Sequence, residues 1–309
     1  MQKMTNTEDY SAKSFTSAMT IDVEDGINIA MLDSFNIKMA PTKRVLVNVE
    51  TILNLFQIHN IRATFFILGE VAEAFPHLAK RIESSGHEIG IHGFHHDQVF
   101  RLTPQLFKSE ILRAKDLIEN QLGHNVFGFR APAFSINLKT SWAFSILEEC
   151  GFKYDSSVFP SISPRYGWNG FSKDICRLKF GDSASLIEAP LSVIKFMGIN
   201  LPVCGGGYLR YLPYNFTKLA FRSIIKERPA IVYLHPYELD VIKYPEYFYR
   251  ARANAHYKQK LLLMFYRYKK DTVKTKMENM ISEFAFSTLY EVISGLEQRH
   301  CIPERSLLR

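Results

Sequence analysis

Residues 87–96 read HEIGIHGFHH. An apolar run of strand length ends directly in a polar loop carrying His92, His95 and His96. A strand that delivers titratable side chains at its carboxyl end belongs to a parallel β/α architecture, where sites form beyond the strand ends. The rest of the chain repeats that pattern.

From residue 18 short apolar runs alternate with longer amphipathic ones. The strand candidates are SAMTID (17–22), RATFFIL (62–68), HEIGI (87–91), VFGFR (126–130), FKYD (152–155), LIEAP (186–190) and AIVYLH (230–235). Helices are expected between them, at about 42–59, 71–85, 104–121, 137–150 and 213–227. Gly86, Gly123 and Gly151 stand where three of these should stop, and Thr103-Pro104 and Asn137 where two should start. Such regular alternation predicts a parallel barrel or a doubly wound sheet. Residues 1–14 are polar and expected to be loose, 15–240 carry the β/α unit, and 241–309 form an extension rich in Tyr, Phe, Lys and Arg, with helical spacing in TVKTKMENMISEF. Between about 156 and 212 the rhythm gives way to Gly/Pro/Ser-rich stretches, read as long loops over one face of the core.

Hydrophobic residues at 47% and charged residues at 22% place the 309-residue chain among ordinary globular proteins and argue against disorder outside the ends. The net charge of +7 is concentrated near the C-terminus in YKQKLLLMFYRYKKDTVKTK, with neither zinc-finger spacing nor an aromatic RNA-binding signature, so no nucleic-acid partner is expected. Cys150, Cys176, Cys204 and Cys301 are scattered without a C-x-x-C pair and read as reduced thiols. No signal-peptide pattern or run of about 18 apolar residues occurs, which leads to the expectation of a soluble protein on the cytoplasmic side.

Five strand ends carry ionisable residues: Asp22, His92, Arg130, Asp155 and His235. Chance and surface solvation account for one or two such placements, not for five. His92 and His96 are four apart in a loop, and two neutral imidazoles near a carboxylate suit a borderline divalent ion such as zinc. The helical H-E-x-x-H pattern of a metallopeptidase is absent, since Gly93 takes the glutamate position. His95 and His87 are not expected to be ligands. In TIDVEDG (20–26), Asp22 and Glu24 are two apart and project to one side of an extended chain, while Asp25 points away. One carboxylate is then available to the metal and the other to act as a base. Alone, either stretch would pass for a solvated polar turn; together with the other strand ends they form a site.

The ordered set TIDVEDG, HGFHH, FRAPAF and YLHPYE resembles the NodB-homology polysaccharide deacetylases, carbohydrate esterase family four, over about residues 15–240. The phrases ATFFILGEVAE, SSGHEIGIHGFHH and CGFKYDSSVFP resemble the branch linked to bacterial exopolysaccharide and surface-glycan clusters, which has a C-terminal extension. The resemblance implies a distorted (β/α) barrel and a divalent-metal-dependent hydrolase, zinc first, that releases acetate from an N-acetylated glycan or a lipid- or nucleotide-linked sugar. It makes Asp22 the base, His92 and His96 metal ligands, His235 the general acid and Arg130 the partner that keeps Asp22 ionised.

Three positions depart from the family. Val23 stands where the third ligand usually is, so that role passes to Glu24 or Asp25, with Glu24 favoured because it shares a side with Asp22. Val158 stands where the aspartate that partners the acid histidine is expected, leaving Asp155 or some other group to orient His235. Ala133 replaces a tyrosine whose backbone N–H helps to hold the oxyanion, and its own N–H can serve. Hydrolysis of a small cyclic amide and a non-catalytic glycan-binding barrel are the alternatives; the latter needs neither a base nor an acid around one metal.

Lesser signals lie elsewhere. CGGGYLR (204–210) lacks the Lys-Ser/Thr of a phosphate loop and reads as a flexible loop, with Arg210 available to a substrate anion. Tyr166, Trp168, Phe171 and Tyr208 are candidates to stack on sugar rings, against the alternative of buried aromatics. HYKQKLLLMFYRYKK is expected either to pack on the barrel with snorkelling lysines or to rest peripherally on an anionic inner membrane.

Overall fold

The computed structural model describes residues 14–162, 167–180, 184–240 and 242–307. Tyr166 and all of the leading segment except Ser14 lie outside them. The strands are β1 (Ser17–Val23), β2 (Thr64–Ile67), β3 (Glu88–Ile91), β4 (Gly128–Phe129), β5 (Tyr154–Asp155), β6 (Cys176–Lys179), β7 (Ser185–Glu188), β8 (Val193–Phe196), β9 (Ile199–Pro202), β10 (Ile231–Leu234), β11 (Phe286–Ser287) and β12 (Glu304–Ser306). The main sheet runs β10-β1-β2-β3-β4-β5-β7-β6-β12, with β11 also paired to β1. Every pairing in this sheet is parallel except that of β6 with β7.

All seven strands read from the sequence are present. β1 is buried along its whole length, as is β2, because helices cover one face and side chains of the barrel interior the other. This is a β/α fold rolled toward a barrel whose ladder does not close among the described residues. The outer edge of β10 is met instead by a single bridge from Gly205 to Tyr233 and by Ser192 Oγ, which accepts the Ile231 N–H at 2.7 Å. Gly205 sits at φ 128°, and a Cβ there would lie 1.9 Å from the Tyr233 carbonyl oxygen. Only glycine permits so close a backbone approach.

The helices Arg44–Ile58, Pro104–Leu122 and Tyr214–Glu227 follow the sequence reading. Thr103 Oγ1 caps the second by accepting from Leu106 N, and Gly86, Gly123 and Gly151 all turn through positive φ. The helix expected at 71–85 is broken into Gly69–Ala74 and Leu78–Glu83, since Pro76 forces Phe75 out of the helical region. That expected at 137–150 begins as a capped turn at Leu138–Thr140 and resumes at Ala143–Glu149. An unread helix, Gly26–Phe35, follows β1 directly.

The stretch read as long loops is more ordered than its composition suggests. It holds β6, the β8–β9 hairpin, whose Met197-Gly198 turn has positive φ at both positions, and the short helix Gly206–Tyr211 in place of the expected flexible glycine loop. C-terminal to it, the helices Glu246–Ala253, Tyr257–Arg267, Val273–Glu283 and Leu289–Gln298 alternate with returns to the sheet. β11 lies against the start of β1, and Leu289 N donates to Thr64 Oγ1 at 2.7 Å on β2. Among the described residues no helix is long and apolar enough to cross a membrane.

Candidate metal and catalytic site

The site is assembled where β1, β3, β4 and β10 end. Asp22 and Glu24 leave β1 on the same side, both buried. Asp25 is committed elsewhere: its Oδ1 accepts from Ile27 N and Asn28 N, capping the helix Gly26–Phe35, and its Oδ2 accepts from the N–H and hydroxyl of Thr42. Of the two carboxylates open to the ligand role, Glu24 alone faces the histidines.

His92 follows β3, and Gly93, at φ 80°, then reverses the chain so that His96 comes back toward it. One oxygen of Glu24, Oε1, lies 3.0 Å from His92 Nε2 and 3.1 Å from His96 Nε2. The three ligand atoms fall within 4.8 Å of one another in a buried cluster. The donor set fits a divalent cation on a point of hydrogen bonding. His92 Nδ1 lies 2.8 Å from the Arg130 carbonyl oxygen, which only accepts, so Nδ1 carries a proton and Nε2 is the nitrogen turned to Glu24 Oε1. An imidazole that keeps its proton on Nδ1 is the tautomer that ligates a metal through Nε2. Burial alone would push the Glu24 carboxyl upward; the imidazoles of His96 and His235 beside it, with hydrogen bonds to His92 and His96, hold it well below the usual carboxylate range.

Arg130, wholly buried, ties Asp22 to the frame. One guanidinium nitrogen donates to Asp22 Oδ1 at 2.8 Å and to Thr20 Oγ1 at 2.7 Å, while the others reach the Ser156 carbonyl at 3.0 Å and its hydroxyl at 2.8 Å. The cation stacks over Phe66, 4.4 Å from the ring centroid. Three residues further along, Ala133 takes a left-handed conformation at φ 52°, and Phe134 another at φ 50°. Consecutive non-glycine residues there are strained, and such strain gathers at ligand-facing turns.

On the opposite side stands His235, which directly follows β10. Its Nε2 lies 4.0 Å from Glu24 Oε2 and its Nδ1 lies 3.7 Å from Glu238 Oε2. Burial alone would lower the imidazole; the carboxylates of Glu24 and Glu238 carry it up to about 9. Glu238 is buried, accepts from the His235 backbone N–H at 3.3 Å and lies 3.4 Å from Arg210 Nε. The loop beyond is anchored by Arg44, whose guanidinium grips Asp240 and donates to the Lys243 carbonyl at 2.9 Å.

Asp155 does not partner His235. It lies opposite Glu188 in the β5–β7 register, and its carboxyl bonds with Glu188 and with the Ser157 hydroxyl at 2.5 Å. Burial raises both carboxyls, Glu188 the more, so the pair shares a proton as a structural tie. Glu238 takes the place beside the histidine, and its signal was present in the sequence: His-Pro-Tyr-Glu is a capping-box spacing, with the glutamate returning to the histidine N–H.

The remaining expectations divide. His95 bonds Glu70 Oε2 at 2.8 Å, and His87 accepts the Ala63 N–H at 3.2 Å beneath Phe56 and Phe65, so neither belongs to the cluster. Trp168 and Phe171 are buried against each other and Phe144 rather than presented to a sugar, and Tyr208 packs on Phe159. Arg210 is spent on Glu238 instead of standing open to a substrate anion. A cleft of about 480 Å³ reaches His96, walled by Asp33, Gln98, Phe100, Arg101 and Gln259 among others.

Comparison with known proteins bears on this arrangement. Residues 44–154 match the polysaccharide deacetylase family, and residues 156–294 match a domain of unknown function, DUF3473. A peptidoglycan deacetylase from Helicobacter pylori is 29% identical over 152 residues, 49% of this chain and 47% of that protein. A peptidoglycan-N-acetylglucosamine deacetylase from Bacillus cereus is 35% identical over 81 residues, 26% of this chain and 30% of that protein. The chain thus spans less than half the length of these curated relatives. In fold, it is similar to the crystal structure of a polysaccharide deacetylase homologue from Mycobacterium smegmatis, with a TM-score of 0.63 at 19% identity over 97% of this chain and 96% of that one.

Proposed function

We propose that this chain, whose residues 44–154 match the polysaccharide deacetylase family, is a divalent-metal-dependent deacetylase that hydrolyses the acetamide of an N-acetylated sugar. One observation carries this reading: a buried Glu24–His92–His96 cluster is flanked by Asp22 on Arg130 and by His235 on Glu238. A binding site for a sugar needs no such pair of proton-handling groups around one cation.

Glu24, His92 and His96 would hold the metal; zinc suits the mixed nitrogen and oxygen donors. When bound, the metal supplies Lewis acidity toward the acetyl carbonyl and toward water. Asp22, held in place by the hydrogen bond from Arg130, takes the proton of the attacking water. His235 then delivers a proton from Nε2, the nitrogen on the Glu24 side, to the departing amine, while Glu238 faces Nδ1 and fixes the ring. The products are acetate and a free amino sugar.

The branch resemblance and the C-terminal extension favour a glycan of a bacterial surface or exported polysaccharide, handled on the cytoplasmic side. The deciding experiment is acetate release from a panel of N-acetylated and O-acetylated oligosaccharides, lipid-linked and nucleotide-linked sugars, using metal-stripped protein with and without added zinc. Zinc-dependent release is expected. One equivalent of bound zinc without release from any N-acetylated panel member, but with release from O-acetylated ones, would move the reaction to ester hydrolysis.

A further inference from the structure

The helix Tyr257–Arg267 uses its apolar residues in an unusual way. Among its described side chains Leu263 is the inward contact, 1% exposed in a cluster with Ile27, Met31 and Phe248. Tyr257, Leu261, Met264 and Tyr268 are left outside at 75, 47, 46 and 44% exposure. Spacings of four, three and four residues put these side chains in one sector of roughly 60° on the solvent side. A helix that merely packed on the barrel with snorkelling lysines would bury Leu261 and Met264 and expose only charge.

Charge completes the surface. From Tyr257 to Lys269 the chain carries Lys258, Lys260, Arg267 and Lys269 and no acidic residue. Lys258 and Lys260 are exposed and fall on opposite flanks of the apolar stripe. Tyrosines close the stripe at both ends, and Tyr268 is steadied by stacking on Tyr211 at 5.5 Å. An apolar strip with aromatic ends, bordered on both sides by cations, complements the surface of an anionic bilayer: the strip enters the headgroup region and the lysines meet the lipid phosphates.

The other side of this helix belongs to the site. Gln259 Nε2 donates to the Ser34 carbonyl at 2.8 Å, and Gln259 lines the cleft that reaches His96. From these observations we propose that the face Tyr257/Leu261/Met264/Tyr268 docks the protein on an anionic membrane surface. Docking through this helix sets the cleft beside the bilayer. The proposal concerns binding alone, and its success or failure is independent of the deacetylase reading.

The test is co-sedimentation of the full chain with phosphatidylcholine vesicles, with and without phosphatidylglycerol, at low and high salt. Partition onto the anionic vesicles at low salt is expected, with little onto phosphatidylcholine alone and a decline at high salt. Leu261→Glu with Met264→Glu should weaken partition by about tenfold or more, and Lys258→Gln with Lys260→Gln should weaken it less and flatten the salt dependence. Thermal unfolding and acetate release from a soluble substrate should be unchanged in both variants. Absence of low-salt binding, or binding unchanged in the Leu261/Met264 variant, overturns the proposal. So does a solution dimer that this variant dissociates while the native protein ignores vesicles, since the stripe would then join two copies of the chain.

Discussion

Glu238 Oε2 lies 3.7 Å from Nδ1 of His235, and the same carboxylate group accepts from the His235 backbone N–H. The partner of the candidate acid therefore comes from the turn immediately after it rather than from the β5 segment, where Val158 has no side chain to offer. A carboxylate supplied from three residues away moves with the histidine, and Arg210 fixes it from a separate helix.

Glu238→Gln is accordingly expected to lower kcat roughly tenfold to a hundredfold toward an acetamide substrate with little change in KM. Hydrolysis of an aryl acetate, whose leaving group needs no proton, should fall much less. Steady-state kinetics on the two substrates check this; equal losses would mean that Glu238 serves only to hold the loop.

Glu24→Gln should lose bound zinc, whereas Asp25→Ala should retain it and unfold at a lower temperature, because a helix cap worth about 1 kcal/mol is removed along with the bonds to Thr42. Metal content by elemental analysis, set beside thermal unfolding of the same samples, separates the two effects.

Asp22→Asn is expected to keep zinc at one equivalent and to lose activity by about 10²–10⁴-fold, the usual range for a positioned base. Turnover near the native rate in a zinc-loaded Asp22→Asn protein would remove Asp22 from the reaction.

His87 supplies a pH dependence remote from the site. Burial, together with the Arg81 charge, lowers its imidazole from 6.5 to about 4, and its Nδ1 must remain an acceptor for the Ala63 N–H. Because the folded value lies below the unfolded one, the unfolded chain binds the extra proton between about pH 6.5 and 4. Stability contributed by neutral His87 is full above that window and is lost on acidification through it, up to roughly 3 kcal/mol. Urea unfolding at pH 7.5 and 5 should show a steeper acid loss in the native protein than in His87→Asn.

The strands and the five charged strand ends were legible because each is a local pattern: an apolar run, then one titratable residue. Glu24 was legible through the two-residue period of an extended chain. Asp25 was ambiguous because a carboxylate before Gly26 is equally a cap, and the helix it caps escaped notice because Gly26 to Met31 are all buried, leaving no polar face to mark a helical period. The Asp155–Glu188 tie depends on which strands become neighbours, information that neither stretch contains. Trp168 and Phe171 were misleading for a similar reason, since loop composition does not tell whether an aromatic turns inward.

The pairing of β1 also governs when the site comes into being during synthesis. Ala18 bonds into register with Ile231, and Ser17 with Phe286, so the strand that bears Asp22 gains its last neighbour only after Phe286 has emerged. At ordinary translation rates, β1 waits on the order of half a minute with an unpaired edge. Its apolar run is a natural client for a holding chaperone over that interval. A fragment that ends at residue 154, where the deacetylase match stops, would carry Asp22, His92, His96 and Arg130 but neither His235 nor the β10 and β11 that flank the strand of Asp22.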